Sequence, residues 1–101
     1  MAQRVAALFE ALRNAAAADD EIAELYATHK QQRLTGARYV AEAVVALGPL
    51  RDNMDLDTAT DLIWTFNDPA LWTTLVTDRG WPPERYQSWL ARTMQESLLP
   101  P

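Results

Sequence analysis

Residues 61–99 read DLIWTFNDPALWTTLVTDRGWPPERYQSWLARTMQESLL, and the spacing of apolar residues in this stretch decides the fold. Leu62, Ile63 and Phe66 recur at helical intervals, as do Leu71, Trp72, Leu75 and Val76, and then Tyr86, Trp89, Leu90, Met94 and Leu98. Two breaks separate the three patterns. Asn67-Asp68-Pro69 joins a capping carboxylate to a proline at the first helical position. Gly80-Trp81-Pro82-Pro83 closes one helix and opens the next, and the proline after Trp81 holds that residue extended. Helices are predicted over 56–66, 70–78 and 83–98. All four tryptophans (Trp64, Trp72, Trp81, Trp89) fall in this region. A small domain with its largest apolar side chains at one end is building either a dense core or a surface for burial against a partner.

The same period runs toward the amino end. Val5, Leu8, Phe9 and Leu12 follow the i, i+3, i+4, i+7 rule, and Ala15 and Ala16 extend the stripe of a helix ending near Ala18. Asp19 and Asp20 supply a cap, and Glu21 places charge where the helix dipole favours it. The second helix is long and carries two apolar strips. Ile22, Leu25, Tyr26, His29, Arg33, Gly36, Val40, Val44 and Leu47 lie along one side, and Leu34, Ala41 and Val45 form the other. Two such strips predict a helix passing through the middle of the domain. Gly36 in mid-helix costs roughly 1 kcal/mol against alanine, which suits close approach of another helix or room for a ligand. Gly48-Pro49 ends the helix, residues 48–54 form a loop, and Asp55 or Asp57 caps the next. The fold class is therefore all-α, a bundle of about five helices in one domain spanning 1–101.

Composition narrows the function classes. At 49% hydrophobic residues, 101 residues suffice for one core without staples. Much of that fraction is alanine, which buries little area each, so part of the stability is expected to come from an interface. There is no cysteine, which excludes disulfides and thiolate metal sites. No apolar run approaches the roughly 20 residues that cross a bilayer, and Met1-Ala2-Gln3-Arg4 is no signal peptide. A cytoplasmic location with no membrane partner is expected. The net charge of −5, a single lysine (Lys30) and eight scattered arginines argue against direct contact with nucleic acid, which needs clustered positive charge.

Ala59-Thr60-Asp61-Leu62-Ile63-Trp64, Asp68-Pro69-Ala70-Leu71-Trp72, Leu75-Val76, Asp78-Arg79-Gly80-Trp81, Pro83-Glu84-Arg85-Tyr86 and Trp89-Leu90 together resemble the carboxy-terminal regulatory domain of TetR-family transcriptional regulators. In that family two late helices are joined through a similar corner. Ala16-Ala17-Ala18-Asp19-Asp20-Glu21-Ile22-Ala23 and His29-Lys30-Gln31-Gln32-Arg33-Leu34 also fit, so the likeness covers nearly the whole chain. The family usually places serine before the corner proline; Pro82 stands there here, and the side-chain cap is lost. The family's helix-turn-helix head, which enters the major groove, has no counterpart in this sequence, and the chain opens directly inside a helical pattern. The resemblance implies a truncated regulator, a probable repressor, that reaches DNA only through the missing head.

It further implies a homodimer built on the third and fifth helices, and a pocket for an unknown small-molecule effector among the first three. Candidate interface residues are Leu62, Phe66, Tyr86, Trp89, Leu90 and Met94; for the aromatic ones ordinary core packing is the alternative. Candidate pocket residues are Tyr26, His29, Arg33 and Trp64. Trp64 stands off the stripe of Leu62, Ile63 and Phe66. Arg33 has the fork that matches a carboxylate, or is simply a partly exposed arginine. His29, the only histidine, is an effector donor or pH reporter, or a hydrogen-bonded structural residue. Alone it anchors no metal, and no cofactor is expected. Asp52, Asp55, Asp57 and Asp61 miss the EF-hand pattern, which wants glycine sixth and glutamate twelfth where Asp57 and Ile63 stand. Arg92 and Glu96 are expected to pair on the surface. No phosphate loop or nucleophile–base spacing suggests an enzyme. The competing readings are a free-standing helical protein-interaction module and, behind it, a small helical enzyme.

Overall fold

The computed structural model describes the backbone from residue 2 and the side chains from residue 4 to Pro101. The described residues are helical with short connections and no strand. Helix α1 (Ala2–Ala16) turns through three residues into α2 (Asp20–Leu47). Asp19 is the N-cap of α2, its carboxylate accepting from the backbone N–H of Glu21 at 2.9 Å and Ile22 at 3.2 Å. The expected loop after Gly48 contains a short 3-10 turn, Arg51–Asn53, with Asp52 and Asn53 both at φ 53°. Those are residue types that tolerate the left-handed region. Of the two caps offered for α3 (Leu56–Phe66), Asp55 holds the position and accepts from the Thr58 N–H at 2.7 Å.

The fourth helix departs from the regular form that its sequence predicts. Only Pro69–Trp72 (α4) is α-helical, capped by Asp68 through the Ala70 N–H at 2.9 Å; Thr73–Asp78 widens into a π-helical turn. Thr73, Thr74, Val76 and Thr77 are β-branched and poor at holding the tighter spiral. The wide turn ends at Gly80, whose φ of 72° suits a residue without a Cβ. Helix α5 (Pro83–Leu98) follows with no side-chain cap, as expected with proline at position 82.

Two separate cores hold these helices. Ala37, Ala41, Leu50, Ala59, Ile63 and Leu98 are buried where α2 crosses α3 and the end of α5. Ala6, Trp72 and Tyr86 are buried where α1, α4 and the start of α5 meet. Helix α5 therefore ties both cores together, Tyr86 in one and Leu98 in the other.

The expected passage of α2 through the middle of the domain is corrected. On α2 only Ala37 and Ala41 are buried; Leu25, Tyr39, Val40, Val45 and Leu47 are exposed, Leu47 at 90%. The molecule is a slab of 44 × 31 × 19 Å, two helix layers thick, and α2 forms one of its outer surfaces. Helix α1 packs along the first half of α2 and α3 along the second, and both touch the same side, where Ile22, Tyr26, His29, Arg33, Ala37, Ala41 and Val44 are buried or half-buried, while Leu25, Tyr39, Val40, Val45 and Leu47 stay open. The close helix approach expected at Gly36 is likewise absent among the described residues: a Cβ built there meets no atom of theirs within 4 Å. Gly36→Ala is accordingly expected to stabilise the isolated chain by about 1 kcal/mol through helix propensity alone, read as a rise in denaturation midpoint under dilute conditions. The ion pairs of the described residues are Arg13–Glu10, Arg38–Glu42 and Arg38–Asp57; the expected Arg92–Glu96 pair is not among them.

Candidate functional site

Arg33 sits halfway along α2. One of its terminal nitrogens donates to the Trp64 carbonyl at 3.0 Å. Its guanidinium lies 5.7 Å from the Phe9 ring centroid and 5.8 Å from that of Trp64, cation–π distance in both cases. Arg33 thus clamps α1 to α3 across α2. Of the four candidate pocket residues, Arg33 and Trp64 are brought together directly. His29 meets the same cluster edge-on, 5.8 Å from Phe9. Tyr26 carries the Lys30 amino group 5.5 Å from its ring and borders, with Arg33, a gap of only about 10 Å3. That gap is about the size of one water, so these four residues do not by themselves enclose room for an effector. Phe9, which belongs to the α1 stripe and drew no functional reading, is the side chain on which the cluster converges.

A larger open recess also borders Arg33 and Phe9. Its volume is about 450 Å3, and Val5, Asp68, Trp72, Tyr86, Gln87 and Leu90 complete most of its lining. Trp72 and Tyr86 are among its lining residues, each 6% exposed and meeting edge to face at 5.3 Å. Trp81 and Trp89 continue the aromatic layer at 6.0 Å, with the Arg85 guanidinium 3.8 Å from the Trp81 ring. The indole nitrogens of Trp64 and Trp72 are buried with no acceptor among the described residues, a state that costs roughly 1–3 kcal/mol per donor. Burial first, and then the nearby Asp68 carboxylate, push the Tyr86 phenol up. A raised phenol pKa favours the fold below the ordinary value of 10.0 and ceases to do so as pH climbs through the raised one, because unfolded Tyr86 ionises first. Stability is therefore expected to decline above pH 10, and Tyr86→Phe to flatten that decline. Urea melts on either side of pH 10 check both.

The six candidate interface residues are turned toward their own subunit. Tyr86 is buried, Leu62 and Met94 pack against the α2–α3 core, and Trp89 and Leu90 against the Trp72–Tyr86 core. Phe66 is half-buried, and none of the six is exposed. The exposed apolar side chains lie elsewhere, at Val5 and Leu8 on α1, along α2, and at Leu99. Between the carboxyl half of α2 and the end of α5 runs an open apolar groove of about 520 Å3, walled by Val40, Val44, Leu47, Met94, Leu98 and Leu99. Among the described residues no group of three acidic or histidine side chains is placed to hold a metal. No described helix is long and apolar enough to cross a membrane. No family model, curated protein or solved structure matches this chain.

Proposed function

We propose that this chain is the dimerising, effector-binding domain of a TetR-like transcriptional regulator, with DNA contacted through a separate helix-turn-helix head. One observation carries the reading: the single chain leaves more surface open than a compact monomer does, and Val40, Val45, Leu47 and Leu99 are among the side chains left exposed. Its accessible surface is 6990 Å2, against about 5,800 Å2 for a compact monomer of its mass. Its radius of gyration is 15.1 Å, against about 13 Å for a compact domain of this length. The surplus, roughly 1,200 Å2, exceeds the ~800 Å2 per partner that a standard stable interface buries.

The second copy is the occupant favoured for the α2–α5 groove. Its lining carries no ionised side chain, whereas the chain as a whole bears −5. Two like-charged molecules meet with least repulsion where neither presents charge. Gly36 and Ala43 share the exposed side of α2 with Val40 and Leu47, which lets a second helix approach closely. The groove reaches Met94 and Ile63, so it borders the α3–α5 pair through which the resemblance implies dimerisation. An effector that prefers one arrangement of the two subunits then shifts the population of dimer geometries, and with it the spacing of the attached heads.

Sedimentation velocity tests this directly. The wild-type chain is expected to run at twice its 11.4 kDa mass at concentrations well above micromolar. Leu47→Glu is expected to run as a monomer with unchanged helicity, because Leu47 is already 90% exposed and contributes little to the subunit's own fold. A wild-type chain that remains monomeric throughout removes the support for a dimeric regulator and leaves a free-standing interaction module as the better account.

A further inference from the structure

We infer that two copies of this chain pair antiparallel through the outer face of α2 and cross at Gly36. The pairing presupposes the dimer proposed for this chain and fixes its face, direction and register.

Leu25, Gly36 and Leu47 stand at intervals of eleven residues. Eleven residues are three turns of helix with little drift, so the three lie on one line along α2. Gln32 and Val40 flank Gly36 at four residues, and His29 and Ala43 at seven. The spacing is thus the same in both directions from the glycine. Apart from the half-buried His29, every residue on this line is exposed, while α1 and α3 pack on the other side of the helix. A two-fold axis at Gly36 sets Leu25 of one copy against Leu47 of the other at both ends of the seam, and Gln32 against Val40. Such reciprocal contact, each residue meeting its counterpart twice, is what a second copy requires and a foreign helix does not.

Gly36 is the residue that the fold of one chain leaves without a purpose. It weakens the helix, and a side chain there would meet none of the described residues within 4 Å. At a helix crossing the absence of a Cβ lets the two backbones approach. Away from the crossing the axes diverge, and interaxial distances of about 8–10 Å track the size of the side chains between them. A glycine at the centre with a leucine at each end matches that profile. No Asp, Glu, Lys or Arg stands on the line, although the chain carries −5, so two copies meet there with little repulsion. The seam covers about 33 Å of helix by rise. Its ends reach Leu47, a wall of the α2–α5 groove, so the amino-terminal half of the partner's α2 is carried to the mouth of that groove. Seam and groove together draw on the surplus surface of the single chain.

The sequence has no cysteine, so single introduced thiols report the register. Gly36→Cys is expected to give a disulfide-linked dimer on mild oxidation, because that residue meets its own copy on the axis. Leu25→Cys and Leu47→Cys are each expected to stay unlinked by themselves, their own copies lying about 33 Å apart along the seam, and to link when the two are mixed. A disulfide needs Cα atoms within about 7 Å, so a parallel pairing cannot reproduce this pattern. In sedimentation, Gly36→Leu is expected to raise the dimer dissociation constant about tenfold or more by overpacking the crossing. Val45→Glu, exposed on another side of α2, is expected to leave it unchanged. Self-linking of Leu25→Cys or Leu47→Cys overturns the antiparallel register. A dimer in which Gly36→Cys stays unlinked with wild-type helicity overturns it too, as does a mixed sample that forms no link. In each of these outcomes the dimeric regulator stands and the seam is lost. A wild-type chain that sediments as a monomer at every concentration removes both.

Discussion

Replacing Trp72 with alanine is expected to cost about 4 kcal/mol and to unfold much of the chain at room temperature, since domains of this size hold only about 5–15 kcal/mol in total. Trp72 is the largest buried side chain of the α1–α4–α5 core, and its companions there are Ala6 and Tyr86. Removing the indole leaves Tyr86 without its edge-to-face neighbour at 5.3 Å and deprives the half-buried Leu71, Leu75 and Trp89 of the surface they pack against. The short α4 helix has one turn of regular hydrogen bonding before it widens, so it has little local structure to fall back on when tertiary contacts go. Collapse of the near-ultraviolet circular dichroism of the aromatic layer, with a parallel loss of far-ultraviolet helix signal, is the expected signature. A variant as stable as wild type would mean that the second core contributes nothing to the fold.

Enlarging Ala59 to leucine is expected to destabilise the chain by about 3 kcal/mol, although it adds apolar volume. Ala59 and Ala41 are both 0% exposed in the core formed where α2 packs on α3. Small side chains at such a crossing let two helix axes approach closely, and at native packing density no space remains for a branched chain. Ile63, one turn further along α3, marks the contrast. It is a large residue on the same buried face, so position along the crossing decides which size is tolerated. Chemical denaturation of Ala59→Leu beside Ala59→Gly checks this, since both are expected to lose stability, by overpacking and by helix propensity respectively. An Ala59→Leu chain more stable than wild type would show that the α2–α3 contact is loose and that alanine is a gap there.

Much of the helical framework is legible before any coordinates. The breaks at Asn67-Asp68-Pro69, Gly48-Pro49 and Gly80-Trp81-Pro82-Pro83 act through bonds within a few residues, so α2, α3 and α5 lie where their caps and prolines set them. The π-helical turn at Thr73–Asp78 was not legible, because its widening is only fractions of a turn away from a pattern that an α-helix satisfies equally. The candidate site was legible in part. Arg33 and Trp64 meet, and a carbonyl hydrogen bond rather than side-chain periodicity joins them. Phe9, Asp68 and Gln87 join the recess through three different helices or their caps, a convergence that spacing along one helix does not encode.

Periodicity, capping residues and prolines determined by themselves that this chain is helical, where most of its helices begin and end, and that its large aromatic residues cluster at one end. These are local matters, settled by steric and hydrogen-bonding demands within one or two turns. The tertiary structure alone decided that Tyr86 spends its area inside the subunit while Val40 and Leu47 remain open, and that α2 is a surface and not a centre. A helix with two apolar strips states only that both seek cover. Which strip finds it depends on how many other helices pack around it, and here α3 takes the face of Ala37 and Ala41 and leaves the opposite shoulder exposed.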